Sequence, residues 1–188
     1  MTKFFSNVRK NLFNGKMTQP QVDGINAIIT EHKTKHANLT LTALAYILAT
    51  AHHETGTTFE GVEEWGKGKG KDYGRKIRMD RKPYTTPDKL YFGRGLVQLT
   101  WFENYEKAGK KLGLDLLNNP ELALNLDNGV KILFLGMIEG WFTSRKLGTY
   151  FTATKTDFIN ARRIVNGKDK AHLIAGYANK YLIASLFL

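Results

Sequence analysis

The sequence predicts a mainly α-helical protein with one small irregular or β portion beside the helices, on three observations. Apolar residues recur at helical spacing in several segments of the 188 residues. Between Phe59 and Tyr91 that period gives way to a run rich in Gly, Lys and Pro. Hairpin character is confined to the neighbourhood of one Gly93-Arg94-Gly95 turn.

The elements follow in order. Phe4, Phe5, Val8, Leu12 and Phe13 lie among Lys3, Arg9, Lys10 and Lys16, an amphipathic start expected to pack on the domain. Thr18 precedes Gln19-Pro20 and can cap a helix carrying Val22, Ile25, Ile28 and Ile29 and ending near Lys35. Asn38 or Thr40 can cap a second helix reaching Glu54, apolar nearly all round and so central to the core, with Gly56 as its left-handed stop. Tyr91-Phe92 and Leu96–Thr100 read as a short hairpin. Beyond it, Trp101–Leu112 is helical up to Gly113, and Val130–Trp141 is another apolar helix. Phe158, Ala161, Ile164 and Val165 suggest a further helix, and Asp169 can cap a last one through Leu182.

Length and composition fit one domain over residues 1–188, with 42% hydrophobic and 24% charged residues. The absence of cysteine excludes disulfides, thiolate metal sites and a cysteine nucleophile. The N-terminal segment has no continuous apolar core or cleavage site, so no signal peptide is expected. The longest apolar run, Ala43–Ala51, is far shorter than the roughly 20 residues of a membrane span. A formal charge of +11 points to an anionic partner. Nucleic acid is not that partner, since no recognition helix or aromatic RNA-binding motif accompanies the basic run.

Several chemistries can be weighed from the residues. His53-Glu54 lacks the second histidine of a zinc-protease motif, because Thr57 stands there, so no metal is predicted. His52 is expected as a hydrogen-bonded core residue. The Gly-Lys alternation over 66–71 lacks the Ser or Thr of a phosphate loop, and no cofactor is implied. Two carboxylates in contrasting settings remain. Glu54 ends a buried helix, where burial and the helix dipole favour the neutral acid, while Glu60, Glu63 and Glu64 lie beside lysines that favour the ionised form. Such a pair suits hydrolysis of a glycosidic bond.

Four ordered motifs carry a resemblance. They are His53-Glu54-Thr55-Gly56, Glu64-Trp65-Gly66-Lys67-Gly68-Lys69-Gly70, Tyr91 to Trp101 with Asn104-Tyr105, and Ala161 to Gly167. Together they resemble family 19 glycoside hydrolases, in particular the phage and prophage endolysin branch. Glu139-Gly140-Trp141-Phe142 and Leu12 to Asn26 fit that branch as well.

The resemblance implies a lysozyme-like fold with a cleft and single-displacement, inverting hydrolysis. Glu54 would be the general acid, Glu64 the general base and Thr100 a hydroxyl holding the attacking water. Gln98, Asn104 and Asn166 would bind N-acetyl sugars, with Trp101 and Arg162 supporting the site. Glu63 stays open as the alternative base, and Glu103 departs from the tyrosine of plant members.

The implied activity is that of a monomeric peptidoglycan muramidase that lyses bacteria, acting on glycan strands and drawn by its basic surface to the anionic Gram-negative envelope. It would accumulate in the bacterial cytoplasm and be released by a holin. Chitinase or N-acetylglucosaminidase activity, and a non-catalytic cationic wall-binding or membrane-permeabilising role, are the alternatives.

Overall fold

The structure, a computed structural model, describes residues 2–188; Met1, the first residue of the predicted amphipathic start, lies outside the described residues. Six α-helices carry it: α1 (Thr2–Leu12), α2 (Gln19–Lys35), α3 (Leu41–Glu54), α4 (Phe102–Leu112), α5 (Leu126–Glu139) and α6 (Ala171–Ser185). The mainly helical fold class is therefore as predicted. Among the described residues no helix is long and apolar enough to cross a membrane.

The centre of the core is α3, in which every residue from Ala43 to His52 is buried. It packs most extensively on α6, and also meets α2 and α5. Thr40 caps it by accepting from the Ala43 amide at 3.2 Å. At the other end Thr55 donates to the Ala51 carbonyl at 2.8 Å and accepts from the Phe59 amide at 3.0 Å, fixing the exit of the chain just after Glu54. Helix α2 starts as read, with a capping box between Thr18 and Gln21. Helix α1 buries Phe4 and Val8 and packs on α6.

His52 sits inside this core at 2% exposure, edged by Phe13, Phe59, Tyr177 and Tyr181 with ring separations of 4.4–5.9 Å. Its Nδ1 is 3.0 Å from the Tyr181 hydroxyl. Burial pushes its pKa down to about 4.

Three local expectations need correction. The hairpin at Gly93 reduces to one antiparallel bridge between Arg94 and Leu99, so Thr100 lies on no strand. The cause is Arg94, which turns inward: its guanidinium lies 3.6 Å from the Phe92 ring centroid, donates to the Leu90 carbonyl at 2.9 Å and reaches the Tyr105 hydroxyl at 3.1 Å. The expected helix over Phe158–Val165 is a 3₁₀ segment, Asn160–Ile164. Asp169 does not cap α6; left-handed Lys170 precedes that helix, and the Asp169 carbonyl accepts from Arg162 Nε at 3.0 Å.

The irregular lobe is anchored to α4 by aromatic packing. Tyr91 lies 4.8 Å from Tyr84, 5.3 Å from Phe102 and 5.2 Å from Tyr105. Glu103, the departure noted in the sequence, does structural work: its Oε1 accepts from the Met79 amide at 2.8 Å and from Arg78 Nε at 3.4 Å, tying the basic segment to α4.

Candidate active site

A cavity of about 270 Å³ opens between the helical body and the irregular lobe, lined by Glu54, Val97, Gln98, Thr100, Trp101, Asn104, Phe142, Val165 and Asn166. Glu54 comes from the end of α3, Asn104 from the first turn of α4, and Gln98 to Trp101 from the loop before it. Residues from four distant parts of the sequence therefore meet at one carboxyl group.

Glu54 is 15% exposed at its side chain, and Arg162, at 3%, donates from Nη1 to its Oε1 at 2.5 Å. The same guanidinium holds the Asp169 carbonyl, so Arg162 is fixed at both ends and the Glu54 carboxyl is fixed with it. Tyr46, fully buried on the same helix α3, packs against Phe151 and Phe158 with ring separations of 5.3 and 6.4 Å. Desolvation by burial pushes the Tyr46 phenol well above its usual range.

The polar groups opposite Glu54 are poised for a ligand. Asn104 is only 5% exposed, yet neither its amide nor the Thr100 hydroxyl has a hydrogen-bond partner among the described residues, although both line the cavity. The Asn104 amide is not among the fully buried side-chain groups without a partner; it opens onto the cavity, where a ligand could meet it. The backbone there is strained: Gln98 and Trp101 have φ of +53° and +75°, values rare for non-glycine residues and concentrated at functional sites. Gln98 uses its amide nitrogen on the Val62 carbonyl at 3.0 Å, and Asn166 Oδ1 accepts from the Gly167 amide at 2.8 Å.

The second carboxylate lies on the lobe side. Glu64 donates from its amide to the Gly93 carbonyl at 2.7 Å, and its carboxylate accepts from the Gly93 amide at Oε2 (3.1 Å) and from the Tyr73 hydroxyl at Oε1 (3.1 Å). Gly93 packs so closely that an added Cβ would lie 2.6 Å from Gln98 Oε1 and 3.3 Å from Glu64 Cβ, so Glu64 and the cavity-lining Gln98 both lie against Gly93. The Tyr73 ring in turn meets Trp101 edge-on at 5.3 Å. Glu63 points elsewhere, to Lys67 at 2.9 Å and Arg94 at 3.3 Å. Its hydrogen bond to Lys67, and the further bond to Arg94, hold its carboxyl below the usual range.

Six of the eight residues singled out in the sequence thus share the cavity wall, Arg162 grips Glu54, and Glu64 lies against Gly93 outside the lining. Sequence reasoning missed Phe142, Val97, Val165 and Tyr73 as parts of the site. Phe142 had a signal in Gly136, where a Cβ would lie 2.2 Å from the Phe142 ring. Among the described residues no three His, Asp or Glu side chains are grouped to hold a metal ion.

The sequence profile of the family described as chitinase class I, glycoside hydrolase family 19, matches residues 25–154. The chain belongs to this family. Endochitinase 1 of Theobroma cacao is 38% identical over 88 residues, 42% of this chain and 26% of that protein. Endochitinase 2 of Gossypium hirsutum is 33% identical over 106 residues, covering 53% and 34%. The matches therefore span about a quarter to a third of these curated relatives. A shorter match, 61% identical over 36 residues and covering 19% of this chain and 12% of the relative, is to the inactive chitinase-like protein 1 of Hevea brasiliensis. Among solved structures, the class IV family 19 chitinase of Zea mays aligns with a TM-score of 0.62 at 19% identity, covering 96% of this chain and 92% of that one. Chitinase C of Streptomyces griseus aligns at 0.59 and 23%, covering 98% and 74%. At these identities the structural likeness speaks to the fold alone, and the family 19 fold is the lysozyme-like architecture expected.

Proposed function

We propose that this chain hydrolyses β-1,4 bonds in a glycan containing N-acetylglucosamine by single displacement, with Glu54 as general acid and Glu64 as general base. The observation that carries the reading is the cavity itself, where a part-buried carboxyl gripped by arginine shares the wall with a free hydroxyl and a free amide. Glu54 would give its proton to the glycosidic oxygen as that bond to the anomeric carbon breaks. Glu64 would take a proton from a water held by Thr100, and the water oxygen would bond the anomeric carbon from the opposite face, inverting it. Arg162 would hold the Glu54 carboxylate that remains, and Asn104 would take an N-acetyl group. Because one relative with a short match is named inactive, family membership alone does not supply the activity, and the intact residue set is what argues for it.

For substrate, the relatives named as endochitinases favour a chitin-type strand. A second reading, peptidoglycan, is favoured by the net charge of +11, which suits an anionic envelope better than neutral chitin. On that reading the protein would act as a phage or prophage endolysin released from the bacterial cytoplasm. Digesting chitin hexamer and purified sacculi, then identifying new reducing ends by mass spectrometry, separates the readings. Ends on glucosamine from chitin support the first, and ends on muramic acid support the second. No new ends from either glycan would refute the proposal.

A further inference from the structure

The segment after Glu64 has features that the proposed chemistry does not use. Residues 67–82 hold eight Lys and Arg against two Asp, more than half the net charge of the chain. This loop is shaped. The amides of Lys67, Lys69 and Lys71 donate in turn to the carbonyls of Glu64, Gly66 and Gly68 at 3.0, 2.8 and 3.0 Å. Gly68 and Gly70, with φ of +79° and +78°, permit these successive turns, and Gly74 closes them by packing on the Gly68 backbone, where a Cβ would lie 1.9 Å from its oxygen.

Five of the eight cations lie within ion-pair distance of a carboxylate in the loop or beside it, though Asp72 and Asp80 each serve two. Lys67 pairs with Glu63 at 2.9 Å, Arg81 and Arg75 with Asp72 at 2.5 and 3.8 Å, and Arg78 and Lys82 with Asp80 at 3.5 and 3.7 Å. Lys69 and Lys71 are exposed and have no ion pair among the described residues. Trp65, the residue following Glu64, is 100% exposed and meets no other ring there. Trp101 and Trp141, by contrast, are sheltered. A fully wetted indole beside a catalytic cleft forgoes the burial that would ordinarily stabilise it, and its flat apolar face matches the CH face of a pyranose ring.

We infer that Trp65, Lys69 and Lys71 form a docking rim beside Glu64 for an anionic glycan, the indole stacking on a sugar and the two ammonium groups meeting carboxylates carried by that strand. The ligand class is an N-acetyl-sugar polymer bearing carboxylates, as in peptidoglycan with its lactyl and peptide acids. This inference rests on the proposed function for the position of the rim, and it makes the rim the determinant that separates an anionic from a neutral strand.

The test uses three glycans: native sacculi, sacculi whose carboxylates have been converted to amides, and neutral chitin hexamer. The Lys69→Ala, Lys71→Ala double variant should lose about five-fold in kcat/KM on native sacculi, through KM, and match the parent on the two neutral glycans. Added salt should erase the difference, because exposed charges are screened. Trp65→Ala should lose about ten-fold on native and amidated sacculi alike. A double variant equal to the parent on native sacculi, or equally impaired on all three glycans, overturns the inference. Co-sedimentation of Glu54→Gln with native and amidated sacculi reads the rim without hydrolysis. A parent that binds native sacculi preferentially but cuts nothing refutes the proposed function alone, while equal binding to both sacculi refutes the rim.

Discussion

Acidification to pH 4 should destabilise this protein through His52. In the folded chain His52 is neutral, enclosed by four aromatic rings, with a pKa pushed down by burial to about 4. The unfolded chain binds the same proton near pH 6.5. Between these values only the unfolded state is protonated, so stability is full above pH 6.5, declines as pH falls and levels off below about pH 4. The difference is worth about 3 kcal/mol, or about 10 °C in Tm for a chain of this size. His53, also lowered mainly by burial, adds in the same direction. Glu63, Glu139 and Asp157, held below their ordinary values by hydrogen bonds, lose their contributions only at lower pH. Thermal melts of the parent and of His52→Gln, whose amide can still meet the Tyr181 hydroxyl, between pH 7 and 4.5 isolate the term. The variant's curve should be flatter by most of the loss the parent shows over that range. Parallel curves would refute the assignment.

Four further outcomes follow from the site. Glu64→Gln should lower kcat by about 10²–10⁴-fold, the usual worth of a positioned acid or base. Glu63→Gln should keep kcat and lose about 1 kcal/mol of stability from its half-exposed pairing with Arg94, read as Tm; the reverse pattern would assign the base to Glu63. Arg162→Lys keeps the charge but cannot reach both Glu54 and the Asp169 carbonyl, so kcat should drop about ten-fold with secondary structure unchanged by circular dichroism. Gly136→Ala forces a methyl against the Phe142 ring and should cost about 1–3 kcal/mol while raising KM for chitin hexamer, since that ring lines the cavity.

The helices were legible because their signals are local. Thr18 with Gln21, Thr40 with Ala43 and left-handed Gly113 behave as their sequence contexts imply, and the apolar continuity of Ala43–Ala51 marks α3 as the central helix. What failed depends on partners distant in the chain. Arg162 draws in the Asp169 carbonyl and Glu54 together, so the segment expected as a helix becomes a 3₁₀ turn and α6 starts without a side-chain cap. Arg94, packed between Phe92 and Tyr105, leaves the hairpin only one bridge. The same arginine bears on the choice that spacing left open: it binds Glu63, whereas Gly93 and Tyr73 donate to Glu64. Phe142 was visible only as part of a motif, because its place on the cavity wall depends on its contact with Gly136 across the turn after α5.

On the proposed mechanism, Glu54 supplies the proton that breaks the glycosidic bond. The most direct test of that role is the initial rate of chitin hexamer or sacculus cleavage by purified Glu54→Gln, beside its thermal melt. Glu54→Gln should keep a native-like melt and cut at a rate at least about 10²-fold below the parent's. A folded Glu54→Gln that cuts at the parental rate would contradict it.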